Sequence, residues 1–110
     1  MTAAEPSGDE LVLVLATLAS PHRLRVLAAL TGERNYVSRL ARDLGISRAL
    51  LQVHLRKLES AGLVTSQLEV SEDGKAMKFY EVVPFRLTLT PAAVSSAVTT
   101  LSSPAKGSTE

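Results

Sequence analysis

The chain has 110 residues, 45% of them hydrophobic, and a formal net charge of +1, which fits one small domain able to bury a core. It has no cysteine, which excludes disulfides, thiolate metal sites, redox switches and cysteine nucleophiles together. With no Trp, two Phe and two Tyr, the core falls to Leu, Val and Ala, a composition suited to small helices.

Residues 1–8 read as a flexible leader. Asp9 is placed to cap a helix running from about Glu10 to Ala19. Its stretch LVLVLATLA (11–19) is much too short to span a bilayer. Glu5, Asp9 and Glu10 precede it where a signal peptide would carry basic residues, so a buried helix of a cytoplasmic protein is expected. That helix is apolar nearly all round, more than one small domain can cover, and this points to dimerisation.

In SPHRLRVLAAL (20–30), Ser20 supplies an N-cap and Pro21 occupies the first helical position, where its missing N–H costs nothing. Leu24, Val26, Leu27 and Leu30 follow at helical spacing, and Gly32 ends the helix. Val37, Leu40, Ala41 and Leu44 repeat at the same spacing, with Gly45 as the left-handed turn residue and Ser47 capping a further helix that Gly62 ends. Two short helices joined by a glycine-containing turn form a helix-turn-helix.

LVTSQLEV (63–70) and KAMKFYEVV (75–83) read as strands, and Asp73-Gly74 between them is a strong hairpin signal, although the alternation leaves the register open. Pro84 breaks the second strand. FRLTLT (85–90) is expected to continue along the hairpin edge or to form a short further strand. Pro91 opens a weak helix, and a disordered tail is expected over 102–110. The expected architecture is mainly α with a small β-hairpin wing. It is a winged helix-turn-helix over 9–101 that dimerises through its terminal helices.

The helix after Gly45 separates into two faces. At about 100° per residue, with Leu51 at zero, Leu55 and Leu58 fall within about 40° of it and define a core face. Leu50 and His54 flank that face. Ala49, Gln52, Val53 and Arg56 lie opposite it, with Arg48 at the edge in the first turn. A DNA major groove has partners for each of these types: guanine for Arg, adenine for Gln, and the thymine methyl for an apolar side chain. An ordinary amphipathic helix also has a polar outer face, but Ala49 and Val53 are poor choices for a purely solvated one. Arg39, Arg42, Arg48, Arg56 and Lys57 stand against Asp43 alone between 39 and 57, a local charge of +4. A solvated surface would account for that charge equally well. The full set of candidate DNA contacts is Ser47, Arg48, Ala49, Gln52, Val53, His54, Arg56 and Lys57 on the helix about 47–61, Arg39 and Arg42 before it, and Lys75 and Lys78 on the wing. Arg39 and Arg42 have Asp43 or Glu33 as alternative partners, and the wing lysines also serve to protect an exposed edge. His54 reads first as a partly buried side chain with a hydrogen-bond partner, and only then as a phosphate or base contact. His22, just after Pro21, reads as a surface or interface residue.

LASPHRLRVLAAL, VSRLARDLGISRALLQVHLRKLESAGLV and GKAMKFYEVV together resemble the ArsR/SmtB family of repressors, over about Leu15 to Val83. The resemblance implies a homodimer joined by its first and last helices, operator binding by the second helix of the pair, and often release of DNA by a metal or other inducer. It places base-reading positions at Arg48, Ala49, Gln52 and Val53, and phosphate contacts at Arg56 and the wing. Val53 stands where the family commonly has the first of two histidines, and His54 keeps the second. The family's cysteine sensor is missing, and the last helix has neither His nor Asp. No metal or cofactor is therefore expected, since two histidines do not make up the three or four ligands a borderline metal needs.

The leading expectation is a dimeric, sequence-specific DNA-binding transcriptional regulator that represses, with no membrane partner. The alternative is a winged-helix module that binds protein through Ala49 and Val53. An enzyme is not expected, because no phosphate-binding glycine loop, paired carboxylates or cysteine nucleophile is present.

Overall fold

Ser7 opens the first helix, α1 (Gly8–Leu18), in the computed structural model, which describes residues 5–102. The Ser7 hydroxyl accepts from the Glu10 backbone N–H at 3.1 Å, and the Glu10 carboxylate accepts from the Ser7 N–H at 2.8 Å, a reciprocal capping box. This corrects the cap expected at Asp9, whose carboxylate instead accepts from the Ser102 backbone N–H at 3.1 Å. Hydrogen bonding from the Ser102 side chain first, and from its backbone N–H second, holds the Asp9 carboxyl below the ordinary aspartate range. The helix thus starts inside the segment read as a leader, of which residues 1–4 lie outside the described residues, as do 103–110 of the tail.

The chain forms two compact units. The described parts of the first are residues 5–16 and 86–102, and the second is Thr17–Phe85. In the first unit α5 (Pro91–Val98) begins with the Thr90 hydroxyl accepting from the Ala93 N–H at 3.0 Å, and Pro91 sits at the start of the helix. Gly8 lies against the end of this helix. Its N–H donates to the Thr100 hydroxyl at 2.7 Å, and a Cβ there would run into the Ala97 carbonyl oxygen, so the close approach requires glycine.

The second unit holds the remaining elements in the order α2 (Pro21–Leu30), β1 (Asn35–Tyr36), α3 (Val37–Leu44), α4 (Arg48–Ser60), β2 (Val64–Val70) and β3 (Ala76–Val82). The Ser20 hydroxyl caps α2 by accepting from Arg23 N–H at 3.3 Å, and the Ser47 hydroxyl caps α4 by accepting from Leu50 N–H at 3.0 Å. Gly45 takes φ of 71°, which lets the Ile46 N–H reach the Ala41 carbonyl at 3.1 Å and the Gly45 N–H reach that of Arg42 at 3.2 Å. This paired closure turns the chain sharply from α3 into α4.

β2 and β3 form the wing in the register Val64↔Val82 to Val70↔Ala76, closed by Ser71 N–H donating to the Lys75 carbonyl at 2.9 Å. The sheet order is β1-β3-β2, all antiparallel. β1 is an element that the helical pattern around it did not indicate. It pairs Asn35 with Tyr80 and Tyr36 with Phe79, filling the second edge of β3. The strand expected over 85–90 is absent: β3 is already paired on both sides, and residues 83–90 follow with no regular structure.

The core lies in this second unit. Val26, Leu27 and Leu30 from α2, Leu40 and Ala41 from α3, and Leu51, Leu55 and Leu58 from α4 pack with Leu63, Val64 and Tyr80. Three helices thus share one apolar centre, which fixes the rotation of α4 and hence the side chains it turns outward.

Candidate nucleic-acid interface

α4 presents the two faces its spacing predicts. Leu51, Leu55 and Leu58 are fully buried, while Arg48, Ala49, Val53, Arg56 and Lys57 are exposed and Gln52 is half-buried. Ser47 is also exposed, and its oxygen is engaged as the cap. Leu50 departs from expectation. Read as a flank of the core face, it is instead exposed, at 37%, close to Val53 at 40%. The first turn of α4 contains no acidic residue, so neither the positive end of the helix dipole nor Arg48 has a local counter-charge there.

Arg39 and Arg42 are exposed on α3, three residues apart on one face. Among the described residues the ion pair is Arg34–Glu69, and no carboxylate approaches Arg39, Arg42, Arg48, Arg56 or Lys57 within ion-pair distance. The pairings considered for Arg39 and Arg42 with Asp43 or Glu33 do not form. Arg34 is held away from this face. It binds Glu69 with both terminal nitrogens, lies 4.4 Å from the centre of the Phe79 ring, and lowers the Glu69 carboxyl below its ordinary range. Lys75 and Lys78 are exposed on the wing, the Lys78 ammonium lying 5.5 Å from the Tyr80 ring centre.

His54 does not belong to the outward face. It is 9% exposed, so the direct DNA contact considered for it is corrected by its burial. Arg23 Nη1 lies 3.1 Å from His54 Nδ1, and Arg23 Nε donates to the Thr17 carbonyl at 2.6 Å. Since guanidinium only donates, Nδ1 accepts and the ring proton resides on Nε2, which is buried without a hydrogen-bond partner among the described residues. The His22 ring lies 5.1 Å away, centre to centre. The fold thus brings the two histidines together from different helices and sets a cation, not a carboxylate, beside them.

A family model for a helix-turn-helix domain matches residues 18–67. An uncharacterised HTH-type transcriptional regulator of Methanocaldococcus jannaschii is 38% identical over 69 residues, covering 63% of this chain and 72% of that protein. The chain belongs to the helix-turn-helix family of transcriptional regulators. Solved structures share its winged-helix fold. The homodimeric winged helix-turn-helix DNA-binding domain of a possible ArsR-family regulator from Mycobacterium bovis has a TM-score of 0.60 at 23% identity, covering 74% of this chain and 75% of that one. NolR from Sinorhizobium fredii has a TM-score of 0.61 at 23% identity, covering 86% and 88%. HlyU from Vibrio vulnificus has 0.57 at 23% identity, covering 83% of each chain.

The buried histidine is expected to make the stability of the regulator depend on pH. Burial first, then the charges of Arg23, His22 and Lys57, push the His54 pKa below its ordinary value of 6.5. The unfolded chain therefore takes up this proton at a higher pH than the folded one. The neutral ring's contribution to stability is fully present above about pH 6.5 and is lost as pH falls below it. Urea midpoints measured at pH 7.5 and 5.5 are expected to drop with pH, and His54→Gln is expected to flatten that drop. An unchanged slope in the variant would assign the effect to other groups.

Proposed function

We propose that the regulator is a homodimeric, sequence-specific DNA-binding repressor that lays α4 in the major groove and the wing lysines beside the phosphates. The observation carrying this reading is the outward face of α4. It combines Arg48, Gln52 and Arg56 with the apolar Ala49 and Val53, and its cations have no carboxylate partner among the described residues. Arg39 and Arg42 on α3 and Lys75 and Lys78 on the wing supply further positive charge for phosphate contact. Dimerisation is supported by Val12, Leu13 and Leu15 on α1 and Val94 and Val98 on α5, all exposed apolar side chains of the kind that mark an interaction surface.

Selection of bound duplexes from a random pool tests the reading. A near-palindromic site is expected, with half-sites about 34 Å apart, one helical turn of DNA, to match the two-fold axis of a dimer. Affinity is expected to fall steeply with salt. Recovery of no preferred sequence, with binding that is weak at all salt concentrations, would refute it. Placing the selected site over a promoter then reads repression directly.

A further inference from the structure

Leu50, like Val53, is a large apolar side chain on α4 that neither the core nor solvation accounts for. It is 37% exposed, while Leu51, Leu55 and Leu58 on the same helix are at zero. At about 100° per residue, Leu50 lies some 60° around the helix from Val53, and Val53 lies about 40° from Ala49. The three form one continuous apolar patch on the first two turns. Arg56 and Gln52 border it on one side. Lys57 falls between Leu50 and Val53 in angle and closes the patch at its far end, one turn further along the helix. An apolar patch with the unpaired cations Arg56 and Lys57 beside it fits a surface that is apolar in detail and anionic overall.

We infer that Ala49, Leu50 and Val53 form a methyl-reading patch that selects thymines at adjacent base pairs of the operator half-site, resting on the DNA-binding role proposed above. The physical basis is the chemistry of the groove. Among the four bases only thymine presents an apolar group, its C5 methyl, in the major groove; the other edges present donors and acceptors. An aliphatic side chain set against those edges would leave them without hydrogen-bond partners, whereas against a thymine methyl it excludes water from two apolar surfaces at once. The patch occupies the N-terminal part of α4, the part of a recognition helix that contacts base edges. The cations around it meet the phosphates on either side of the groove. A protein partner would have to bury the same patch while satisfying Arg48, Arg56 and Lys57, none of which has a carboxylate partner among the described residues.

The experiment removes only the methyl. A duplex selected from a random pool is resynthesised with deoxyuridine in place of thymidine at each half-site position, which keeps every hydrogen-bonding group. Affinity is expected to fall about fourfold for each contacted methyl, the equivalent of about 0.8 kcal/mol per buried carbon. Leu50→Ala and Val53→Ala, both at exposed positions, are expected to lose that sensitivity at one thymine each while keeping their folded-state spectra and the salt dependence. An enriched site that binds equally well with deoxyuridine throughout would overturn the methyl-reading patch and leave the DNA-binding reading standing. A selection that enriches no sequence would overturn both.

Discussion

Arg56→Glu is expected to weaken operator binding on the order of 100-fold without moving the unfolding midpoint. Each phosphate contact adds about 0.9 to the slope of log affinity against log salt, so at about 0.1 M salt the loss of one contact costs roughly tenfold. A dimer presents Arg56 twice, and the glutamate adds repulsion where attraction was. The same titration is expected to become shallower by about two contacts, which separates a lost phosphate contact from a general misfolding. Arg56 is exposed, and no acid among the described residues pairs with it, so the folded chain loses no ion pair on substitution. Equal binding by the variant, measured by fluorescence anisotropy between 50 and 300 mM salt, would remove α4 from the interface and favour a protein partner for its outer face.

How far the sequence reaches depends on how local each interaction is. The caps at Ser20 and Ser47, the turn at Gly45 and the hairpin at Asp73-Gly74 rest on contacts a few residues apart, and the residue types specify them. Ser7 shows a local signal missed: Ser7 and Glu10 have the spacing of a capping box, and Asp9 is the better-known capping type only when its carboxylate is free. β1 is different in kind. Asn35 and Tyr36 have no periodicity to read, and their strand exists because β3, more than 40 residues on, offers an unpaired edge. The Arg23–His54 contact likewise joins positions 31 residues apart, so the wheel could place His54 beside the core but not name its partner.

Leu50 marks the limit of the helical wheel. The wheel gives an angle around α4, but exposure depends on how far the neighbouring helices extend along it. Near its N-terminal end the core face narrows to Leu51, and a side chain about 100° away emerges into solvent. The base-reading positions implied by family resemblance omitted Leu50 for the same reason: its exposure is a property of packing and not of the motif. The site thus has two origins. Its charges were evident in sequence order, and its apolar half becomes continuous only once the helix is docked.

Leu55→Ala is expected to cost about 2–5 kcal/mol of stability, because Leu55 is fully buried in the core cluster that α2, α3, α4 and the sheet build together. Its neighbours come from several elements held by their own caps and strand pairing, so they cannot collapse freely into the cavity. In a domain of this size a loss of that order removes much of a total of roughly 5–15 kcal/mol and lowers the melting temperature by about 10 °C or more. A urea midpoint within about 0.5 kcal/mol of the parent's would show that Leu55 does not occupy the core, since that is the range of surface substitutions. The comparison with Arg56 is the sharper test, because the two residues are adjacent in sequence and differ by one step around the helix. Leu55→Ala is expected to lose DNA binding only in proportion to the folded protein lost, with the salt slope of the folded fraction intact. Arg56→Glu is expected to lose binding while fully folded. Opposite readouts from neighbouring positions require α4 to be anchored on one side and to face DNA on the other.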